Sequence, residues 1–179
     1  MANLNIGDPV IPLSLPGVDG KDYSLESYQA KPIIAVIFSC NHCPYVRAWE
    51  GRMIDIQAAY AEKGVQFLVI SSNDASQYPA DSFPMMKERA EQLGFNFPYL
   101  YDESQEIARA YGAQRTPEVF LFDSDRRLRY HGAIDDNYED PEAVSAHHLI
   151  DALDALLAGQ SPAVAATPPV GCTIKWKPN

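Results

Sequence analysis

Cysteine is scarce in this chain: three in 179 residues, too few to staple a domain of this size with disulfides. Positive charge is scarce as well. Lys and Arg number 14 against 24 Asp and Glu, a formal net charge of -10. That balance excludes nucleic acid and anionic membrane surfaces as natural partners, because both are polyanions. No apolar run approaches the length of a membrane span. Met1 to Asp8 lacks a basic region followed by a long apolar one, so no signal peptide is expected. The expected compartment is therefore the reducing cytoplasm, where paired cysteines are more often catalytic than structural.

What is present is an ordinary globular composition, 46% hydrophobic and 21% charged, which suits one domain with a full core. The chain reads as a single domain over 1–160 with an extended tail over 161–179. The most informative stretch is Phe38-Ser39-Cys40-Asn41-His42-Cys43-Pro44. Before it, Ile33 to Phe38 is an unbroken apolar run rich in Ile and Val, the pattern of a strand buried on both faces. After it, Tyr45, Trp49, Met53, Ile56 and Tyr60 recur at helical spacing and stop near Gly64. The cysteines thus fall at a strand-to-helix turn. Such a turn points free N–H groups and the positive end of the helix dipole at Cys40, favouring its thiolate. A thiolate is the attacking group in disulfide exchange, and Cys43 can close the loop to expel whatever Cys40 captures. His42, between them, would stabilise the thiolate, the bland alternative being a solvated turn residue.

Other uses of these cysteines fit less well. Half a zinc site would need two further ligands, but Cys172, His131 and the adjacent His147 and His148 lack ligand spacing. Two inert buried cysteines, or a surface disulfide, would leave the strand-turn-helix setting unexplained. No metal and no cofactor beyond the cysteines is expected.

Along the chain, Val10 to Leu13 and Lys21 to Ser24 predict an N-terminal hairpin, with a helical turn over Leu25 to Gln29. Val65 to Ser71 predicts a second buried strand, so strand, helix and strand form a right-handed parallel crossover. A polar segment opened by Asn73 leads to a helix over Met85 to Leu93 and an extended stretch over Phe97 to Tyr101. Ser104 is expected to cap a helix over Gln105 to Tyr111. Thr116-Pro117-Glu118 enters a hairpin of Val119 to Phe122 with Arg127 to His131. Asp140-Pro141-Glu142 predicts the start of a helix that runs to Gly159. In the tail, Ile174 and Trp176 alternate with lysines and are expected to pin it to the body, with Cys172 either a small buried anchor or a third redox thiol.

This order, with Cys-x-x-Cys at the first core strand's end and Thr-Pro before a hairpin, resembles the thioredoxin fold over Lys31 to Gly159. That is an α/β fold with a central mixed β-sheet flanked by helices. The N-terminal hairpin and the insert over Asn73 to Tyr101 are similar to those of its peroxiredoxin-like branches. Ser39 to Val46, Thr116 to Phe120 and Gly171 to Trp176 resemble a bacterial group often labelled alkyl hydroperoxide reductase or thiol-specific antioxidant.

The resemblance implies a thiol-disulfide oxidoreductase with Cys40 attacking and Cys43 resolving, acting on protein or small-molecule disulfides and reset by an unidentified reductant or oxidant. It implies a cis Pro117 facing the cysteines, and Thr116 offering its backbone to an incoming peptide, with Glu118 and Asn73 nearby at strand ends. A thiol peroxidase is the second reading, because the peroxidase motif's proline and hydroxyl positions hold Ile33 and Ile37 here. A redox-switched binding or sensor protein is the third. Thioredoxin's buried proton-relay aspartate has Ile34 in its place.

Overall fold

The structure, a computed structural model, describes residues 4–179. Strands β1 (Ser14–Pro16) and β2 (Asp22–Ser24) form a small antiparallel hairpin ahead of the main sheet. The body then runs β3 (Ile33–Ser39), α1 (Pro44–Tyr60), β4 (Val65–Ser71), α2 (Phe83–Leu93), β5 (Tyr99–Tyr101) and α3 (Glu106–Tyr111). It continues with β6 (Arg115–Thr116), β7 (Glu118–Phe122), β8 (Leu128–Gly132), α4 (His148–Leu157) and β9 (Cys172–Thr173). The five-stranded central sheet has the order β5-β4-β3-β7-β8. Strand β3 pairs parallel with β4 and antiparallel with β7, so the sheet is mixed. This is a thioredoxin-like α/β fold.

Strand β3 shows how the sequence makes the layers. All seven of its residues are buried. Ile33, Ala35 and Ile37 face one core with Trp49 and Met53 of α1 and Leu149 and Leu153 of α4. Ile34, Val36 and Phe38 face the other, with Ala108 and Tyr111 of α3 and Ile174 of the tail. The period-two alternation of a strand thus serves two layers at once, at about 1.5–3 kcal/mol for each large side chain buried. The first helix turns its expected stripe inward: Trp49, Met53, Ile56 and Tyr60 are buried, and Gly64 ends it at φ 93, where glycine meets no steric cost. Among the described residues no helix is long and apolar enough to cross a membrane.

Three local expectations are corrected. The hairpin's first strand is Ser14–Pro16 and not Val10 to Leu13. That run is held elsewhere, by Pro9 bridging Arg127 and the Val10 N–H donating to Arg126 O at 2.8 Å. Helix α3 is capped by Asp102, whose carboxylate accepts from the N–H groups of Ile107 and Ala108 at 3.3 and 2.9 Å; Ser104 reaches only Glu106 N. The helix start at Asp140 yields one 3-10 turn, Pro141–Ala143, after which the chain is extended at Val144. Asp136 holds this interruption by accepting from the N–H and hydroxyl of Ser145. Helix α4 begins only at His148.

Candidate functional site

Residues 40–43 form the turn between β3 and α1, at the end of the central strands. Cys43 sits before Pro44 with φ -66 and ψ 125, the extended conformation a following proline imposes. Pro44 opens the helix, so Cys43 is its N-cap residue. The Cys43 sulfur closes no cap hydrogen bond of ordinary geometry, but it lies in the field of the Val46 N–H and the helix N-terminus. All three cysteines are free thiols, with Cys40 1% and Cys43 0% exposed.

The two sulfurs have opposite surroundings, and the helix N-terminus lies nearer Cys43 than Cys40. Cys43 is held well below the ordinary thiol range, first by the hydrogen bond from Cys40, then by Cys172 and the Val46 N–H. Cys40 is pushed up because it is the donor to Cys43, is buried, and faces the charge of Asp81; the Thr116 hydroxyl at 3.7 Å only partly opposes this. The start of the helix at Pro44 moves the dipole three residues past Cys40.

Asp81 has no counterpart in the expectations drawn from the sequence. It ends a 3-10 turn, Pro79–Asp81, in the insert and is fully buried. Its carboxylate accepts from the Asn41 N–H at 2.7 Å and Asn73 Nδ2 at 2.8 Å, and lies against His42 Nδ1. His42 therefore has a partner, but the partner is Asp81 and not a cysteine, and its ring stacks on Tyr78 with centroids 5.7 Å apart. Asn41 completes the dock of turn to insert, donating to Ala80 O at 2.9 Å and accepting from Tyr99 OH at 2.7 Å. Cys40 Sγ, His42 Nδ1 and an Asp81 oxygen lie within 4.8 Å of one another, a donor set that could hold a metal ion only by parting the imidazole from the carboxylate.

Opposite the cysteines, the Thr116-Pro117 bond is cis and both residues are buried. Cys43 Sγ lies 3.5 Å from Thr116 O. The backbone edge of Thr116, expected to receive a peptide, is already taken: Thr116 pairs with Cys172 and Arg115 with Thr173, as β6 and β9 run antiparallel. Glu118 and Asn73 are likewise engaged away from the cysteines. One Glu118 oxygen accepts from the N–H groups of Gln114 and Arg115 at 3.0 and 2.9 Å, the other meets His131 Nε2 at 2.8 Å. Asn73 links Asp81 to the tail, accepting from the Lys175 N–H at 2.9 Å. In this structure both hold the fold together, because buried carboxylates and amides take the backbone donors the fold presents.

The tail brings in Cys172. Its side chain packs against Cys40, Cys43 and Val46, and burial together with Cys43 raises its thiol to about 11. Ile174 is buried and Trp176 half-buried against the same layer, so the tail is pinned as the alternation predicts.

A cysteine pair at the end of the central strand, facing a cis-proline loop on a thioredoxin-like sheet, defines a redox protein of the thioredoxin-fold class. The chain belongs to the AhpC/TSA family, whose pattern matches residues 6–131. It is similar to the crystal structure of an uncharacterized conserved protein from Geobacillus kaustophilus, at 42% identity and TM-score 0.93 over 98% of this chain and 94% of that one. Thiol-disulfide oxidoreductase ResA of Geobacillus thermodenitrificans is 21% identical over 69% of this chain and 67% of its own. A thiol:disulfide interchange protein DsbE from Chlorobium tepidum shares the fold, at 24% identity and TM-score 0.61 over 72% of this chain and 85% of that one.

Proposed function

We propose that the protein is a thiol-disulfide oxidoreductase working through Cys40 and Cys43, with Cys43 as the capturing thiolate and Cys40 as the resolving thiol. This reverses the order the spacing alone suggests. The observation that carries it is the pair's asymmetry: Cys43 is the N-cap residue at a helix N-terminus, and Cys40 faces a buried carboxylate. A sulfur at a helix N-terminus is favoured as the attacking thiolate. A protonated sulfur beside a carboxylate can lose its proton when its turn comes.

In the first step Cys43 attacks a disulfide sulfur; one S–S bond forms, another breaks, and a substrate thiolate leaves. Cys40 then passes its proton to Asp81 and attacks the Cys43 sulfur, closing Cys40–Cys43 and releasing the second thiolate. His42 holds Asp81, and Thr116 and Pro117 wall the opposite side. The substrates are protein or small-molecule disulfides in a reducing cytoplasm, and a thiol reductant or oxidant resets the pair. The oxidoreductase name of the ResA relative supports this reading.

The test is trapping with Cys172 replaced, so that only two thiols compete. Cys40→Ser with Cys172→Ser should accumulate a mixed disulfide at Cys43, whereas Cys43→Ser with Cys172→Ser should not. The reverse pattern restores the original order, and no trapping in either sinks the exchange reading. A second reading, thiol peroxidase, is favoured by the AhpC/TSA family itself. It would show as rapid conversion of Cys43 to sulfenic acid by hydroperoxide with no trapped disulfide. A folded dithiol that does neither would be a redox-switched binding protein.

A further inference from the structure

The buried pair poses a problem of access. Cys40 and Cys43 are 1% and 0% exposed, so in this conformation a substrate disulfide can reach neither sulfur. Cys172 is the third thiol of the cluster and is only half-buried.

Its placement is built by several independent contacts. The tail's own strand lies in register beside Thr116. Gly171 permits this: a Cβ there would stand 1.9 Å from the Thr116 carbonyl oxygen, so only glycine lets the tail come this close. On the far side the Ile174 N–H donates to Gln114 O at 2.9 Å. The Lys175 N–H and C=O bind Asn73 Oδ1 at 2.9 Å and the Asp74 N–H at 2.8 Å. The Lys177 N–H donates to Gln105 Oε1 at 3.0 Å. Ile174 and Trp176 also anchor the tail, so its docking does not rest on Cys172 alone.

We propose that Cys172 is a third redox-active cysteine, the outward thiol through which external disulfides reach the buried Cys40–Cys43 pair. The proposal rests on the exchange reading and changes its first step: Cys172 meets the external disulfide, and Cys43 captures from Cys172 in place of the free substrate. Cys172 attacks the substrate disulfide RS–SR. An S–S bond forms to Cys172, the RS–SR bond breaks, and the leaving RS⁻ takes the Cys172 proton, so Cys43 stays a thiolate. Cys43 then attacks the Cys172 sulfur, forming Cys43–Cys172 and expelling the second RS⁻, which takes the proton of Cys40. Cys40 finally attacks the Cys43 sulfur, closing Cys40–Cys43 and returning Cys172 as a thiolate. Two electrons pass from the Cys40 and Cys43 dithiol to the substrate, which leaves as two thiols, and Cys172 is regenerated.

The experiment treats the reduced full-length protein with oxidised glutathione and follows each thiol by alkylation and mass mapping. In Cys40→Ser the last step is blocked, and a Cys43–Cys172 disulfide should accumulate. In Cys172→Ser the Cys40–Cys43 disulfide should still form, but at least about tenfold more slowly, since exchange rate follows access to the attacked and attacking sulfurs. Cys172→Ala should slow it equally, and unchanged far-ultraviolet dichroism in both variants excludes a folding defect. Glutathione held on Cys43 with Cys172 free in Cys40→Ser, or wild-type oxidation rates in both Cys172 variants, would overturn the relay while leaving the exchange reading intact. A wild-type protein that forms no Cys40–Cys43 disulfide would overturn both.

Discussion

Two histidine–carboxylate pairs flank the strand before Pro117, and they are built alike. In each, a partly exposed imidazole meets a buried carboxylate: the side chains are 29% and 0% exposed for His42 and Asp81, 28% and 1% for His131 and Glu118. Each imidazole also stacks on an aromatic ring, His42 on Tyr78 and His131 on Phe120. They differ in what else the carboxylate holds. Glu118, on central strand β7, spends its second oxygen on two N–H groups of the loop that leads to Thr116. Asp81, on a one-turn helix in the insert, holds the Asn41 N–H next to Cys40 and sets its charge against that sulfur. The lesson is that a buried acid paired with histidine is not by itself a catalytic signature. The remaining partners decide whether the charge holds backbone or acts on a reacting atom.

That contrast can be broken most forcefully at Glu118. Glu118→Ala strips the acceptor from the part-buried Gln114 and Arg115 N–H groups, and should lower unfolding free energy by about 1–3 kcal/mol, the size of one or two lost hydrogen bonds to a charged group. An unchanged denaturant midpoint would show that Glu118 is not the clamp described.

Asp81→Asn should act on chemistry more than on folding. In a Cys43→Ser background, which isolates Cys40, removing the charge should lower the Cys40 pKa by about one unit, roughly a tenfold gain in thiolate at a given pH. The pH dependence of alkylation reads this, and an unmoved curve would place Asp81 with Glu118 as mere support.

The smallest effect is a pH trend that separates the two sulfurs. Ultraviolet thiolate absorbance of the reduced protein should survive acidification well below the ordinary thiol value of 9.0, vanish in Cys43→Ser, and persist in Cys172→Ser. The folded-state pKa of Cys43 is depressed, so its contribution to stability is fully present above the unfolded thiol value and lost as pH falls through the lower folded one. Reduced wild type should therefore lose stability on acidification more steeply than Cys43→Ser. Parallel curves would put the charge elsewhere.

The framework was readable from local pattern because its signals are local. Ile33 to Phe38 and Val65 to Ser71 are runs that only a doubly covered sheet can bury, and Gly64 and Gly94 close helices where left-handed backbone is needed. The cysteine pair and Thr116-Pro117 were readable for the same reason. Asp81 was not. It sits in a polar stretch where an aspartate is unremarkable, and its partner Asn41 lies 40 residues away. The helix start at Pro44 with Cys43 as its cap was itself legible, because the residue before a proline avoids the helical region. The break before α4 escaped because Asp140, Pro141 and Glu142 start a helix correctly, while Asp136 diverts the following residues from outside that window.

The chain's two tryptophans lie one on the body and one on the tail that carries Cys172. Trp49 belongs to α1, is 1% exposed, and donates to Asp135 at 3.0 Å. Trp176 lies in the tail, half-buried, with the Arg109 guanidinium 4.5 Å above its ring. A collisional quencher in solution reaches only the second while the tail is docked. The emission of an unlabelled sample therefore splits into a shielded component from the body and a quenchable one from the tail, an optical gauge of tail docking that needs no dye.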